Sequence, residues 1–575
     1  MGAKYKRLGV NAMQEDWWKS ATVYQIYPKS FYDSNGDGIG DINGIIAKLD
    51  YLKKLGVDVL WLTPMYRSPQ KDNGYDISDY YNVQPEYGTL EDLERLFSEA
   101  HQRDLKIVMD IVVNHTSTEH RWFKEAESSV DSPYRDYYIW RDPGKDGGAP
   151  NNWQSKFGGS AWQYDEKSGQ YYLHLYDVSQ ADLNWENEAV REDVYKMMNH
   201  WLDKGVDGFR LDVINVISKD QRFPDDHDPN SPGDGRPFYT DGPRVHEFLH
   251  EMNQRVFSKR AGTLTVGEMS STTIDNCVHY TNPKYKELSM VFNFHHLKVD
   301  YPNGQKWALG KLDLVALKDV LAHWQKGMHD GGGWNALFWC NHDQPRIVSR
   351  FGDEGDYRVE SAKMLANTLH LLQGTPYVYQ GEEIGMTNPN FDSIEDYRDV
   401  ESLNAYEMMK QEGKSVDEIL AILRQKSRDN SRTPVQWNSE SNGGFTEGKS
   451  WISVARNYRK INVNTALEDP DSIFYHYQKL IGLRKKLDVI VNGDFQLLAP
   501  NDPEIFAYLR SGSNEQLLVV SNFYSRTVHF SVSDELDAST VHSKLLISNY
   551  KDSPALPKKL TLRPYESVVY HMTKK

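Results

Sequence analysis

The residues best suited to chemistry stand at the ends of short apolar runs. Asp110 and His115 lie in "LKIVMDIVVNH", Arg210 and Asp212 in "VDGFRLD", Glu268 in "TLTVGEM", and His342 and Asp343 in "ALFWCNHD". A single Asp at a strand end commonly caps the helix that follows. Their joint occurrence resists that explanation, because packed carboxylates repel and a fold carries that cost only with a compensating role. Two carboxylates of different character can split a glycosidic bond. One attacks the anomeric carbon and the other protonates the leaving oxygen. Arg210 precedes Asp212 by two residues, on the same face of a strand, and can hold Asp212 ionised as the nucleophile. Glu268 follows the apolar "TLTVG", where burial raises its pKa so that it starts protonated.

A second constellation is "DSNGDGIGDING", Asp33 to Gly44. Asp33, Asn35 and Asp37 with Gly38 in sixth place open like an EF-hand calcium loop, but Gly44 stands where a bidentate Glu belongs. Two readings remain: a structural cation site of another design, or an Asp/Asn/Gly turn.

These side chains need a scaffold. Strand candidates are "TVYQIYP", "VDVLWLTP", "LKIVMDIVVNH", "VDGFRLD", "TLTVGEM", "LSMVFNF", "ALFWCNHD" and "TPYVYQGEE". Between them lie segments with apolar residues every three to four positions, such as "TLEDLERLFSEAHQRD", the pattern of amphipathic helices. This alternation predicts an α/β fold, a (β/α)8 TIM barrel with its site at the carboxyl ends of the strands. A doubly wound open sheet is the alternative, but no GxGxxG follows the first strand. About 70 residues rich in Gly, Trp, Tyr and Asp follow the third strand, too many for a βα loop. They predict an inserted small domain over 114–185, which leaves 17–113 and 186–490 for the barrel. From 491 to 575 short strands at regular spacing predict a C-terminal all-β sandwich domain. Residues 1–16 are set aside as an N-terminal extension.

Composition narrows the function classes. The chain has 575 residues, 39% hydrophobic and 26% charged, as in soluble globular proteins. A formal net charge of −16 argues against nucleic acid as the main partner. An anionic substrate would need a local cluster of Lys or Arg. Cys277 and Cys340 are the two cysteines, too few for a disulfide framework, which fits a reducing compartment. The first residues contain no apolar run of leader-peptide length, and no run of about 18 apolar residues occurs. We therefore expect a cytoplasmic protein with no membrane partner and no obligate protein partner. The 15 Trp and 35 Tyr suit sugar-binding walls, although most aromatic residues are simply core.

"DIVVNH", "GFRLDVIN", "GEM" and "NHDQPR", in this order, resemble the four conserved stretches of the alpha-amylase family of glycoside hydrolases, and "QADLN" resembles a fifth. The resemblance runs from about residue 17 to the carboxyl terminus. It implies Asp212 as nucleophile, Glu268 as general acid/base and Asp343 as a third acid holding sugar hydroxyls. His115, Arg210 and His342 would line the −1 sugar site. Asp72 and Tyr75 in "KDNGYD" would grip and stack on the same sugar, with Phe157 and Gln180 also binding substrate. Arg432 in "SRTPVQW" would pair with Asp72 and block the far end, making the enzyme exo-acting. In the glycine-rich loop, Asp33, Asn35, Asp37, the Ile39 carbonyl and Asp41 would bind one structural Ca2+, with Mg2+ as a competitor. No organic cofactor is implied.

Within the family, "WWKSATVYQIYPKSF", "DNGYDI" and Val213 resemble the oligo-1,6-glucosidase subfamily. "SKDQRFP", "FYTDGPRVHEFLHEMN", "VGEMSSTTIDNC" and "FNFHHLKVDYPNGQKWAL" are similar to its members that act on trehalose 6-phosphate. The Arg-rich RLDRD of sucrose isomerases is absent. The resemblance implies a retaining hydrolase that cleaves this sugar phosphate to glucose and glucose 6-phosphate through a covalent glucosyl-enzyme. The alternative is an oligo-1,6-glucosidase acting on unphosphorylated α-glucosides. A different class, the amylase-like heavy chains of amino-acid transporters, lacks the acids and carries a membrane span. Lys298, flanked by His295 and His296, would bind the phosphate. Lys306, Arg236 and Arg346 are weaker candidates for the same role.

Overall fold

The computed structural model of the chain describes residues 16–536 and 541–574. The proposed extension of residues 1–16 lies outside the described residues except for Asp16. Eight parallel strands form the centre: β1 (Val23–Ile26), β2 (Val59–Leu62), β3 (Lys106–Ile111), β4 (Gly208–Leu211), β5 (Leu264–Glu268), β6 (Met290–Phe292), β7 (Ala336–Leu337) and β8 (Thr375–Tyr379). The ladder runs β6-β5-β4-β3-β2-β1-β8-β7. A parallel bridge between Val291 and Asn335 closes it into a barrel. Strands buried on both faces read as continuous apolar runs, which is why "KIVMDI" and "TPYVY" are so uniform.

Helices cover the outside: α1 (Leu49–Leu55), α2 (Leu90–His101), α3 (Glu188–Asp203), α4 (Val245–Arg255), α5 (Ile274–Thr281), α6 (Leu314–Gly331), α7 (Arg358–His370) and α8 (Ile473–Arg484). Helix α2 shows the local logic. Thr89 accepts from Asp92 N while the Asp92 carboxylate takes the Thr89 N–H, a capping box. Leu93, Leu96, Phe97 and Ala100 then form one buried stripe.

Between β3 and α3 the chain forms a small unit with a three-stranded sheet, Trp140–Arg141, Gln170–Leu173 and Trp162–Asp165. The antiparallel pair His115–Ser117 and Gln180–Asp182 ties its two ends together at the barrel mouth. After β8 comes a segment with no element in the sequence reading. It holds helices Val400–Gln411 and Val416–Lys426 and the 3-10 turn Arg428–Ser431. Beyond α8, five antiparallel strands form a sheet: β9 (Asp494–Leu498), β10 (Ile505–Ser511), β11 (Glu515–Asn522), β12 (Val541–Ser548) and β13 (Ser567–Lys574). A two-stranded sheet, Val528–Ser531 with Lys559–Leu562, accompanies it.

Candidate active site

The strand ends converge. Arg210 on β4 donates to Asp110 Oδ1 (2.8 Å), to Asp212 Oδ1 (2.6 Å) and to Glu268 Oε2. One guanidinium thus serves three carboxylates, not Asp212 alone. Asp110 is fully buried and also accepts from Trp61 Nε1 (3.1 Å) and Tyr75 Oη (2.9 Å), so it anchors Arg210 from behind. Val213, directly after Asp212, has φ of 37°. A β-branched residue in the left-handed region is strained. The turn aims the Val213 N–H at Glu268 Oε2, 3.4 Å away.

Electrostatics separates the two front acids. Burial raises the pKa of Glu268 to about 8, with Arg210 opposing and Asp212 adding to the rise. Burial also raises Asp212, against the pull of Arg210, and a hydrogen bond from Glu268 favours its ionised form. The pair holds a shared proton on Glu268. Asp343 behaves differently. Burial works to raise it, but His342, Arg428 and Arg432 outweigh burial and hold it well below the usual carboxylate range. Burial lowers His115 to about 4 and His342 to about 3, so both rings are neutral. His342 stacks on Tyr75 with centroids 5.1 Å apart, and its Nδ1 accepts from Gln25 Nε2 (2.8 Å).

A cavity of about 660 Å³ opens over these groups. Asp72, Tyr75, His115, Phe157, Asp212, Glu268, Asp343 and Lys298 are on its wall. Gln180, Arg210, His342 and Arg432 are not; they hold the wall from behind. Gln180 Nε2 donates to Asp72 Oδ2 (3.1 Å) and to Tyr75 O (3.1 Å). Arg432 donates to Asp343 Oδ1 (2.7 Å) and to His342 O (2.8 Å).

The expected Arg432–Asp72 pair is corrected. Arg428 is the partner of Asp72, at 2.9 Å, and also faces Asp343 (3.4 Å) and Asp399 (2.5 Å). The 3-10 turn Arg428–Ser431 places Arg428 toward Asp72 while Arg432, after the turn, reaches the β7 end. Arg428 also lies over the Phe157 ring at 4.9 Å. Arg346 is corrected too. It is buried, donates to Gln380 O (2.5 Å) and packs on Tyr379, away from the cavity.

One side of the cavity is cationic. Lys156, Arg236, Lys298 and Lys306 line it. Arg236 pairs with Asp234 (2.8 Å) and Lys306 with Glu401 (2.7 Å). Lys298 has no ion pair among the described residues. Lys156, absent from the sequence reading, hydrogen-bonds Ser270 Oγ and lies near the Tyr176 and Tyr239 rings. Burial, then Arg236, lowers Lys156 to about 7, and burial, then Arg236, lowers Lys298. Nothing in "NNWQSKFGG" distinguishes Lys156 from a surface lysine, so no sequence signal marked it.

The glycine-rich loop offers oxygen donors of the kind a hard cation takes. Asp33 Oδ1 accepts the Asn35 and Gly36 N–H groups, and Asp33 Oδ2 accepts from Gly38 N (2.8 Å) and Thr446 Oγ1 (2.5 Å). Asn35 and Asp37 each accept the N–H two residues on. Asp41 takes Ser34 N, Ser34 Oγ and Gly44 N, capping the short helix Ile42–Ala47. Gly38 has φ of 93°, and a Cβ there would meet Lys449 O at 1.8 Å. The donor chemistry fits calcium. The carboxylates, however, are turned toward protein donors. Among the described residues the one trio of candidate ligands within 4.8 Å of one another is elsewhere.

Residues 25–493 match the alpha amylase catalytic domain, and residues 505–569 match the C-terminal domain of the alpha-amylase SusG. The chain is 65% identical to a trehalose-6-phosphate hydrolase of Bacillus subtilis, over 98% of this chain and 99% of that one. It is 56% identical to an oligo-1,6-glucosidase of Parageobacillus thermoglucosidasius, over 97% of this chain and 99% of that one. A crystal structure of Bacillus licheniformis trehalose-6-phosphate hydrolase superimposes with a TM-score of 0.93 at 64% identity, covering 97% of this chain and 100% of the other.

Proposed function

Since the chain belongs to the alpha-amylase family of glycoside hydrolases, we propose that it hydrolyses trehalose 6-phosphate to glucose and glucose 6-phosphate with retention of configuration. Asp212 attacks the anomeric carbon of the unphosphorylated glucose. Glu268 gives its proton to the bridging oxygen, and glucose 6-phosphate leaves. Glu268 then takes a proton from water, which releases glucose from Asp212. Arg210 bonds both Asp212 (2.6 Å) and Glu268, which sets the two carboxyl groups side by side on one guanidinium. That proximity supports direct attack over an intervening water, as inverting enzymes need a wider gap of about 6.5–9.5 Å. Asp343, Asp72 and His115 hold the hydroxyls of the −1 glucose, and Arg428 closes the far end.

The observation that carries the substrate is the position of the cations. Lys156 is bonded to Ser270, two residues past Glu268. The general acid faces the leaving group, so Lys156 and its neighbours Lys298 and Arg236 lie on the leaving-group side. Their mutual repulsion and burial are relieved by a dianion, which a neutral disaccharide does not supply. The reverse placement would set the phosphate against Asp72 and Asp343.

Lys298→Ala is expected to weaken kcat/KM for trehalose 6-phosphate by about 1.5–3 kcal/mol, the scale of a charge-assisted hydrogen bond. Hydrolysis of a neutral aryl α-glucoside should stay nearly unchanged. Equal losses on both substrates would mean that Lys298 supports the fold. Faster wild-type cleavage of isomaltose than of trehalose 6-phosphate would favour an oligo-1,6-glucosidase. The first glucose released, followed by NMR, should be the α anomer. No helix among the described residues is long and apolar enough to cross a membrane. The buried free thiols Cys277 and Cys340 support a cytoplasmic setting. We further propose that Asp33, Asn35, Asp37, the Ile39 carbonyl and Asp41 hold Ca2+, which braces this loop and takes no part in bond cleavage.

A further inference from the structure

Backbone pairing between β4 and β5 runs from Gly208 with Leu264 to Leu211 with Gly267 and stops there. The two front acids stand one residue further on, Asp212 just after β4 and Glu268 at the end of β5, so that ladder does not tie their backbones to each other. Past it, the Asn215 side chain crosses from one strand end to the other. Asn215 is fully buried in the 3-10 turn Ile214–Val216, which follows Asp212 and Val213. Its Oδ1 accepts from Ser270 N (3.0 Å), and its Nδ2 donates to Ser271 O (2.7 Å), two and three residues past Glu268. Nδ2 also donates to Asp241 Oδ1 (3.1 Å). A carboxamide has two N–H donors and one carbonyl acceptor, and here each is used.

The far side of this clamp is anchored in turn. Asp241 has φ of 48°, in the left-handed region that Asp tolerates better than most residues. Its N–H donates to Asn215 O (2.8 Å). Its carboxylate accepts from Asn276 Nδ2 (3.1 Å) and Tyr280 Oη (2.5 Å), four residues apart on one face of α5. The turn also lies close to β5: a Cβ on Gly267 would meet Ile214 Cγ2 at 3.2 Å. From the cavity side, Lys156 holds Ser270 by its Oγ. The short segment after Glu268 is therefore gripped by its backbone from behind and by a side chain from in front. An Asp at position 215 would turn oxygens toward Ser271 O and the Asp241 carboxylate, so the contacts themselves call for Asn.

We infer that Asn215 is a positioning residue for the general acid: its amide locks Ser270 and Ser271 to the turn that follows Asp212, and so holds Glu268 at a fixed separation from the nucleophile. This role rests on the parts proposed above for Asp212 and Glu268. Retaining chemistry needs the two carboxyl groups about 5–5.5 Å apart, and the acid must come within about 2.6–3.2 Å of the oxygen it protonates. Arg210 binds the tips of both carboxyl groups. Asn215 fixes the backbone from which those side chains extend, and it touches no sugar.

The test uses the full-length enzyme and two unphosphorylated substrates, so that the result does not depend on the sugar-phosphate reading. Phenyl α-glucoside needs its leaving oxygen protonated; α-glucosyl fluoride needs little help from an acid. Active sites are counted by trapping the covalent intermediate with a fluorinated glucosyl fluoride, and kcat/KM is expressed per counted site. Asn215→Ala should lose about 10²-fold on phenyl α-glucoside, the scale of a misplaced catalytic group, and less than about tenfold on the fluoride, where acid assistance counts for little. Glu268→Gln should show the same split. Circular dichroism checks folding, and Asn215→Ser, which keeps a polar group, replaces Asn215→Ala if that variant does not fold. Equal losses on the two substrates, or no loss per counted site, would mean that Asn215 supports the fold alone and would overturn its positioning role. A split in Glu268→Gln without one in the Asn215 variant would overturn the role of Asn215 and leave the acid in place. No split in Glu268→Gln would overturn Glu268 as the acid, and the role of Asn215 with it.

Discussion

At the scale of single residues, one guanidinium and one proton organise the acid centre. Arg210 touches Asp110, Asp212 and Glu268, so its single positive charge cannot keep all three ionised, and burial decides which acid keeps a proton. Glu268 keeps it, with a pKa raised from 4.5 to about 8. Two consequences follow from the same group. With Glu268 as the proposed general acid, the reaction needs its protonated form, so kcat/KM should fall about tenfold per pH unit above pH 8. Stability follows linkage: a carboxyl with a raised folded pKa contributes stability that is full below about 4.5 and is lost as pH rises through about 8. Glu268→Gln should therefore gain Tm relative to wild type at pH 9 but not at pH 4. It should also lose about 10²–10⁴-fold in turnover of a poor leaving group. A wild-type rate that stays flat to pH 10, or no pH dependence in the Tm difference, would contradict this placement of the proton. What sequence reading reached here was the convergence of strand ends, with Asp212, Glu268 and Asp343 on one cavity wall, because a parallel barrel fixes where strand ends meet. It did not reach Arg428 as the partner of Asp72. That choice depends on a 3-10 turn, and Arg428 and Arg432 both lie in "SRDNSRTP" with equal claim until the turn is seen.

At the scale of elements, the barrel was legible because parallel strands buried on both faces leave apolar runs, and because each amphipathic helix between them repeats on its own period. The segment after β8 was not legible. Its helices Val400–Gln411 and Val416–Lys426 pack on a local apolar cluster around Tyr397, Ile419 and Leu423, outside the strand–helix rhythm, yet it delivers Arg428, Arg432 and Glu401 to the site. The loop after β1 shows how far residue types alone can reach. Asp33 to Asp41 have the spacing of a cation loop, but their carboxylates already satisfy the loop's own N–H groups. The loop joins two distant stretches of chain: Asp33 N donates to Phe445 O (3.0 Å) and Trp451 N to Gly38 O (3.0 Å). A calcium ion here would strengthen that junction, so its removal should act on stability first. Chelation should lower Tm, calcium should restore it, and Asp37→Ala, an exposed position, should abolish the response. If chelation leaves Tm unchanged in calcium-free buffer, the loop is a self-sufficient turn.

At the scale of the whole molecule, the question is whether the terminal sheet is a separate unit or part of the barrel. Strand β10 answers through its period of two. Phe506 and Tyr508 belong to the barrel's apolar cluster, whereas Ile505, Ala507 and Leu509 belong to the interior of the terminal domain. The strand therefore serves two cores. Polar side chains reinforce the joint. Lys318, fully buried on α6, donates to Ala499 O (2.8 Å), Asp502 O (2.6 Å) and Ile505 O (3.0 Å). Arg510 donates to Leu371 O (2.6 Å) and Gly493 O (2.7 Å), and Tyr508 Oη to Thr368 O (2.8 Å). Lys318 is the most economical place to test the coupling, because one ammonium satisfies two carbonyls of the turn between β9 and β10 and that of Ile505 at the start of β10. Lys318→Met keeps most of the side-chain volume and removes every donor. Each lost hydrogen bond to a charged group is worth about 1.5–3 kcal/mol, and the stranded carbonyls add their own desolvation cost. Wild-type protein should melt in a single calorimetric transition that includes both units. Lys318→Met should lower that transition or split off an earlier one belonging to the terminal sheet, with the activity per folded molecule unchanged below it. Two resolved transitions in the wild type, with Lys318→Met moving neither, would mean that the terminal domain folds alone and that its contacts with α6 add no coupling.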